Sequence, residues 1–393
     1  MTQNIPGFLP ELEKDLYTFS TTSVLPSQMI EEFIKKGHIV TSNRILDDQL
    51  QPASIDLRLG PIAYQIRASF LPGRASLVLD RVEELKIQEI DLSKPSVLER
   101  GCVYIVPLVE ELYLPPGISG KANPKSTIGR LDIFTRLVPD YSTEFERVPA
   151  GYKGKLYLEI VPRTFNVLVQ EGARMNQLRF MQVSPLSTDT QPDYLQEEKP
   201  RVYLENGTRE SPGNPMISNG LWVSWVSVDL QGSNGSEVVG YKAKKYAPLI
   251  DLAKLSYYDP SEFWDPIVKP KKKNIILDPE DFYILASKER IEVPPNLAAE
   301  MIAYDPSVGE FRVHYAGFFD PGFGYGQTNF KGAHAVLEVR SHEVPFLLED
   351  GQIVGRLIFE RLQAKPQKIY GPNIGSSYQG QALSLSKQFK FFL

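Results

Sequence analysis

The chain has 393 residues, enough for two domains at roughly 100–200 residues each. Hydrophobic residues make up 42% and charged residues 23%, a balance that excludes disorder over most of the length. Lys plus Arg number 43 against 48 Asp plus Glu, and the net charge of −5 argues against nucleic acid or an anionic membrane as partner.

In chain order, Met1-Thr2-Gln3-Asn4-Ile5 lacks the basic start and apolar block of a signal peptide. No apolar run approaches the ~20 residues that span a bilayer, so a soluble cytoplasmic protein is expected. Ser27 to Lys36 predicts a helix, with Ser27 as N-cap, Met29, Ile30, Phe33 and Ile34 on one face, and Gly37 as the stop. Short runs such as Val103-Tyr104-Ile105-Val106, Leu156 to Val161 and Ala335 to Val339 predict strands. A second, shorter helix is expected over Asp251 to Leu255. The 31 prolines and 28 glycines scattered among such runs predict a mostly β protein, a sandwich or barrel with few short helices. Cys102 stands alone, which excludes a disulfide framework and a Cys-rich zinc site. The four histidines (His38, His314, His334, His342) lack metal-site spacing and are assigned no role.

The sequence repeats itself. Pro115-Pro116 recurs as Pro294-Pro295, Leu158-Glu159-Ile160 as Leu337-Glu338-Val339, Glu171-Gly172 as Asp350-Gly351, and Leu178-Arg179-Phe180 as Leu357-Ile358-Phe359, always 179 positions on. Ser54-Ile55-Asp56-Leu57 also has a partner, Ser227-Val228-Asp229-Leu230. Two copies of one β-rich domain are expected: a catalytic copy over 1–190, a linker over 191–219, and a diverged copy over 220–393.

Four stretches of the first copy resemble, in order, the dCTP deaminase and dUTPase superfamily. They are Gln51 to Gly60; Lys125-Ser126-Thr127-Ile128-Gly129-Arg130-Leu131; Gly151-Tyr152-Lys153-Gly154 with Leu158-Glu159-Ile160; and Glu171 to Phe180. A fifth, Tyr370-Gly371 with Ser377-Tyr378-Gln379-Gly380-Gln381, resembles the family's C-terminal tail, which folds over bound nucleotide; Ser377 stands where a lysine is expected. The resemblance implies two tandem dUTPase-like distorted β-barrel or jelly-roll domains. It also implies a homo-oligomer, because the family builds its sites at subunit interfaces. A first-copy site closed by the second copy's tail is then expected.

Removing the 4-amino group of cytosine needs a water nucleophile, a base to activate it, and proton delivery to N3 and the leaving amine. Zinc deaminases use a His/Cys-held metal for this, and one cysteine cannot supply that set. A metal-free reaction at the base would rest on one buried carboxylate. Glu159, interrupting the apolar strand Leu156 to Val161, is the candidate; read from the strand alone, it could equally face solvent and pair with a surface cation. The resemblance implies Ser126 and Arg130 as its catalytic partners. It also implies Lys125, Thr127, Arg147, Tyr370 and Gln381 as substrate-binding residues, with Arg147 matched across an insertion, Asp140 to Glu146. Without it, Lys125-Ser126-Thr127 reads as an ordinary polar turn. Asp56 and Asp229 are read as structural, Gly154 and Gly172 as turn glycines, and Tyr104, Phe134 and Phe180 as core. No metal ligands are assigned; Mg²⁺ is expected to arrive with the substrate triphosphate.

The second copy reads Tyr304-Asp305-Pro306-Ser307-Val308-Gly309 where the first has its basic hydroxyl turn, so it is expected to be a scaffold that donates the tail, with Glu338 a relic. The leading function is hydrolytic deamination of dCTP to dUTP and ammonia. Pyrophosphatase action on dUTP, alone or combined with deamination, is the alternative, disfavoured because Pro149 replaces the needed aspartate and Asp320 belongs to the copy without the turn. A non-catalytic nucleotide-binding scaffold is the third reading.

Overall fold

In the computed structural model the described residues are 20–185, 200–203, 216–218, 221–303, 311–313, 317–326, 331–341, 344–371, 378 and 382–390. The β-type runs form antiparallel strands in two similar halves. In the first half, Ser20–Val24, Arg174–Pro185, Ile118–Pro124 and Arg147–Val148 lie side by side, with Ile55–Arg58 also on the Arg174–Pro185 strand. The opposing sheet runs Lys86–Asp91, Ile62–Ile66, Val103–Tyr113, Lys153–Pro162, Ile133–Pro139. The second half repeats this plan. Val238–Ala243, Phe282–Glu292 and Ala333–Ser341 form one sheet, and Leu221–Ser227, Ile353–Arg361 and Leu297–Ala303 the other. The repeat extends to register. Glu159 stands opposite Ile105 in its ladder, and Glu338 opposite Ile284 in the equivalent one.

The halves are interlaced rather than strung together. Ile250–Asp251 pairs in parallel with Val167 and Leu168 of the first half. Phe263, Trp264, Phe282, Ile284, Val336 and Phe389 join the first half's core cluster. Buried ion pairs cross the seam, Arg340 to Asp132 and Lys121 to Glu300 among them. Asp251 is therefore not the start of a helix. Its backbone pairs with the other half, and its carboxylate accepts from the Ala253 N–H (3.0 Å), turning the chain instead.

Helix α1 covers Ser27–Lys35, and Gly37 takes φ +74° to end it as expected. The cap differs. Pro26 occupies the N-cap position and Ser27 lies inside the first turn, where it caps nothing. A second helix, α2 (Val78–Leu85), has no counterpart among the sequence expectations; Val78 and Val82 are its fully buried residues, and Leu79 and Leu85 pack partly buried beside them. It is held by Asp140, whose Oδ1 accepts from the Val78 N–H (2.8 Å), and its two valines pack on Ile105, Val138 and Tyr157. Further backbone bonds, Gly73 to Ser142 and Tyr141 to Ser76, tie the preceding loop to the same 140–142 segment.

This helix decides which sheet faces are open. In the second half the positions matching Ile105 and Tyr157 are Ile284 and Val336, and they pack against the first half. In the first half the same face is closed by α2. Replacing Val82, fully buried, by Asp places an unpaired carboxylate under the helix and is expected to destabilise the chain by about 3 kcal/mol in urea unfolding. Glu83→Ala, at an exposed position of the same helix, should change stability by under about 0.5 kcal/mol.

Candidate active site

The strand Ile118–Pro124 runs into a single helical turn, α3 (Ser126–Gly129), closed by backbone bonds from Ile128 and Gly129 to the Lys125 carbonyl. This turn presents Lys125, Ser126, Thr127 and Arg130 to one wall of a cavity of about 330 Å³. The facing wall comes from the second half: Met301, Phe318, Asp320, Phe323, Val336 and Glu338. The site lies on the seam.

Glu338, on the strand Ala333–Ser341, is 4% exposed, and its Oε1 is 4.0 Å from the Arg130 Nε. Burial pushes its carboxyl up to about 8, with the Arg130 guanidinium pulling the other way. Burial likewise raises Asp320 to about 6, opposed by Arg179, whose Nη2 is 3.9 Å away. Across the cavity Lys125 pairs with the buried Asp56, and Arg174 with Asp48 at 3.0 Å. One end of the cavity is thus apolar and acidic, and the other cationic.

The C-terminal segment covers Arg130. Its guanidinium lies 3.7 Å from the Tyr378 ring centre and donates to the Ser384 carbonyl (3.0 Å). The Tyr378 hydroxyl is 3.1 Å from Thr127 Oγ1, and Ser386 Oγ donates to the Thr127 carbonyl (2.8 Å). Tyr370 donates its N–H to the Pro321 carbonyl (2.8 Å). Gly322 permits that approach: with φ +94°, a Cβ there would stand 2.1 Å from Ile369.

Residues 21–184 match the N-terminal domain of 2'-deoxycytidine 5'-triphosphate deaminase, and 193–389 its C-terminal domain. This chain belongs to the dCTP deaminase family. The dUMP-forming dCTP deaminase of Dictyoglomus thermophilum is 27% identical over 199 residues, 48% of this chain and 93% of that protein. The dCTP deaminase of Natronomonas pharaonis is 29% identical over 170 residues, 42% of this chain and 80% of the other. A crystal structure of dCTP deaminase from Agrobacterium tumefaciens aligns with a TM-score of 0.77 at 46% identity, covering 87% of this chain and 99% of that one. The single-length relatives thus match about one half, whereas the Agrobacterium chain shares the doubled plan.

Of the residues expected from the sequence of this dCTP deaminase family member, Lys125, Ser126, Thr127, Arg130 and Tyr370 line the one cavity. Gln381, Ser377 and the diverged turn 304–309 lie outside the described residues. Arg147 is exposed, paired along the strand edge with Lys121, and is not part of the wall. Glu159 is corrected. It is fully buried and accepts from Arg136 Nε (2.9 Å) and Nη2 (2.5 Å), but it does not line the cavity. The physical reason is α2 and its loop, whose Ser69 bonds Arg136 and which closes the face over Glu159. The turn of the first copy meets the glutamate strand of the second. Glu338, read as a relic, and Asp320 line the same cavity as Arg130.

Removal of the Tyr378 ring should loosen the closing segment. In Tyr378→Ala, trypsin is expected to cut after Lys387 several-fold faster than in the parent, followed by mass spectrometry.

Proposed function

We propose that this chain hydrolyses dCTP to dUTP and ammonia, with Glu338 as proton carrier. The observation that carries the reading is the buried Glu338 carboxyl at ion-pair distance from Arg130 in the wall of a cavity whose far end is cationic. The Glu338 carboxylate takes a proton from water as the oxygen bonds to C4 of cytosine. It gives that proton to N3, takes the second proton from the new C4 hydroxyl as the C4 carbonyl forms, and passes it to the departing nitrogen, so the C4–N bond breaks and ammonia leaves. Arg130 holds the carboxylate in place and favours its ionised form, and Ser126 is placed to hold the attacking water. Phe318, Phe323 and Val336 keep bulk water from the ring, which strengthens the Arg130–Glu338 interaction.

Lys125, Arg174 and the backbone of α3 suit the triphosphate. Mg²⁺ fits as a passenger on the phosphates: Asp48 and Asp56 already hold cations, and among the described residues no group of three metal-ligating side chains forms. The ion would offset phosphate charge. Both walls belong to one chain, so one copy of this chain supplies Arg130 and Glu338 to one cavity.

A second reading has one observation in its favour. Asp320, set apart in sequence from a phosphate turn, shares the cavity with Lys125 and Ser126, so an aspartate can reach water beside the phosphates. Pyrophosphate release from dUTP, lost in Asp320→Asn, would establish that activity beside deamination.

Incubation with dCTP, CTP, dCMP and dUTP plus Mg²⁺, following ammonia and pyrophosphate separately, tests the reading. Ammonia is expected from dCTP. Glu338→Gln should lower kcat by roughly 10²–10⁴-fold, while Glu159→Gln stays within about threefold of the parent. Because only ionised Glu338 accepts a proton from water, kcat/KM should rise with pH and level off above about 8. Turnover of dCTP by Glu338→Gln at the parental rate would remove the assignment.

A further inference from the structure

We propose that Lys387, on the C-terminal segment, is a ligand of the nucleotide's terminal phosphates and makes the site sensitive to phosphate number. The proposal rests on the nucleotide reading above and adds to it a residue outside every recognised motif.

Position is the first argument. A second cavity of about 470 Å³ adjoins the site, and the two share Asp56, Lys125, Thr127, Arg174 and Lys387 in their walls. Glu338, Val336 and Tyr370 line only the first. Lys387 therefore stands at the junction, at the end of the site away from the reacting ring. A phosphate chain extending from a base beside Glu338 along α3 runs toward it.

Charge is the second. Lys125 is neutralised by Asp56 and Arg174 by Asp48. Of these three cations Lys387 alone has no carboxylate at ion-pair distance among the described residues. Partial burial and the like charges of Lys125 and Arg174 push its ammonium below the usual lysine range, partly offset by Asp56. An incoming phosphate oxygen relieves that repulsion.

Rigidity is the third. The Lys387 N–H donates to the Tyr378 hydroxyl (3.3 Å), and Ser386 on one side is bonded to Thr127 (2.8 Å). On the other side Gln388 donates to the Leu252 carbonyl (3.1 Å), and Phe389 is buried against Phe263, with ring centres 5.3 Å apart. The backbone is pinned on both flanks, so little entropy is lost when the side chain takes a phosphate. Those same contacts tie the lysine to Thr127 of the phosphate turn.

The test compares Lys387→Gln and Lys387→Arg with the parent, in the full chain, using ammonia release from dCTP, dCDP and dCMP with Mg²⁺ and calorimetric binding of dCTP. Loss of one charge-assisted bond should raise KM and Kd for dCTP by about 10- to 100-fold, with kcat within about threefold. The penalty should shrink from dCTP to dCMP, and Lys387→Arg should recover most of the affinity. A dCTP KM and Kd for Lys387→Gln within about twofold of the parent, or an equal loss on dCTP and dCMP, would overturn the proposal. Binding of dCTP that depends on Lys387 without any ammonia from the parent would instead sink the deaminase reading and leave the ligand assignment standing.

Discussion

A carboxyl group taken out of water is held in place only if a cation or hydrogen-bond donors reach it, and Glu338 meets Arg130 from the other half of the chain. Everything that defines the site follows from placing those two groups on opposite sides of one seam. The seam is built for alignment. Arg340 to Asp132, Lys121 to Glu300 and Arg179 to Glu360 are buried or partly buried ion pairs across it. Pairs of this kind add little net stability relative to apolar packing, but a shift of register would strand each charge. The apolar contacts of Phe282, Ile284 and Val336 supply the cohesion, and the charges fix the angle at which the halves meet.

Duplication alone would give two equivalent glutamates, and the ladders show that it did: Glu159 and Glu338 occupy the same place in their strands. What differs is the cover. Beside Glu338 lies a turn bearing a guanidinium and hydroxyls, and both line an open cavity. Over Glu159 lie Arg136 at hydrogen-bond distance and an eight-residue helix whose two valines fill the face. One carboxylate is thereby left with a raised proton affinity beside a cavity, and the other is locked in an ion pair. Glutamates at the same strand position acquire different surroundings from what packs against them.

Much of the fold was legible because β-strands announce themselves locally. Runs such as Val103 to Val106, the turn residues between them, and the 179-residue repeat all survive in the structure. The turn from Lys125 to Arg130 was legible for the same reason, since it is contiguous. The helix α2 was not, because eight residues, four of them apolar, are too short a run to separate a helix from other structure by pattern alone. Nor was Glu338 legible as a partner of Arg130, for their encounter depends on how two halves dock across 208 positions of chain, information that no local pattern contains. Lys387 lay further out of reach. It belongs to no motif, and only the pinned path of the C-terminal segment brings it to the cavity.

The central claim is that one chain supplies both Arg130 and Glu338 to the same site. Co-expression of an Arg130→Ala chain with a Glu338→Gln chain under separate tags, followed by purification of the mixed population and assay of ammonia release from dCTP, addresses it directly. A site assembled within each chain predicts no activity above that of either variant alone. Recovery of a substantial share of parental activity would show that the two groups come from different chains and would contradict the account.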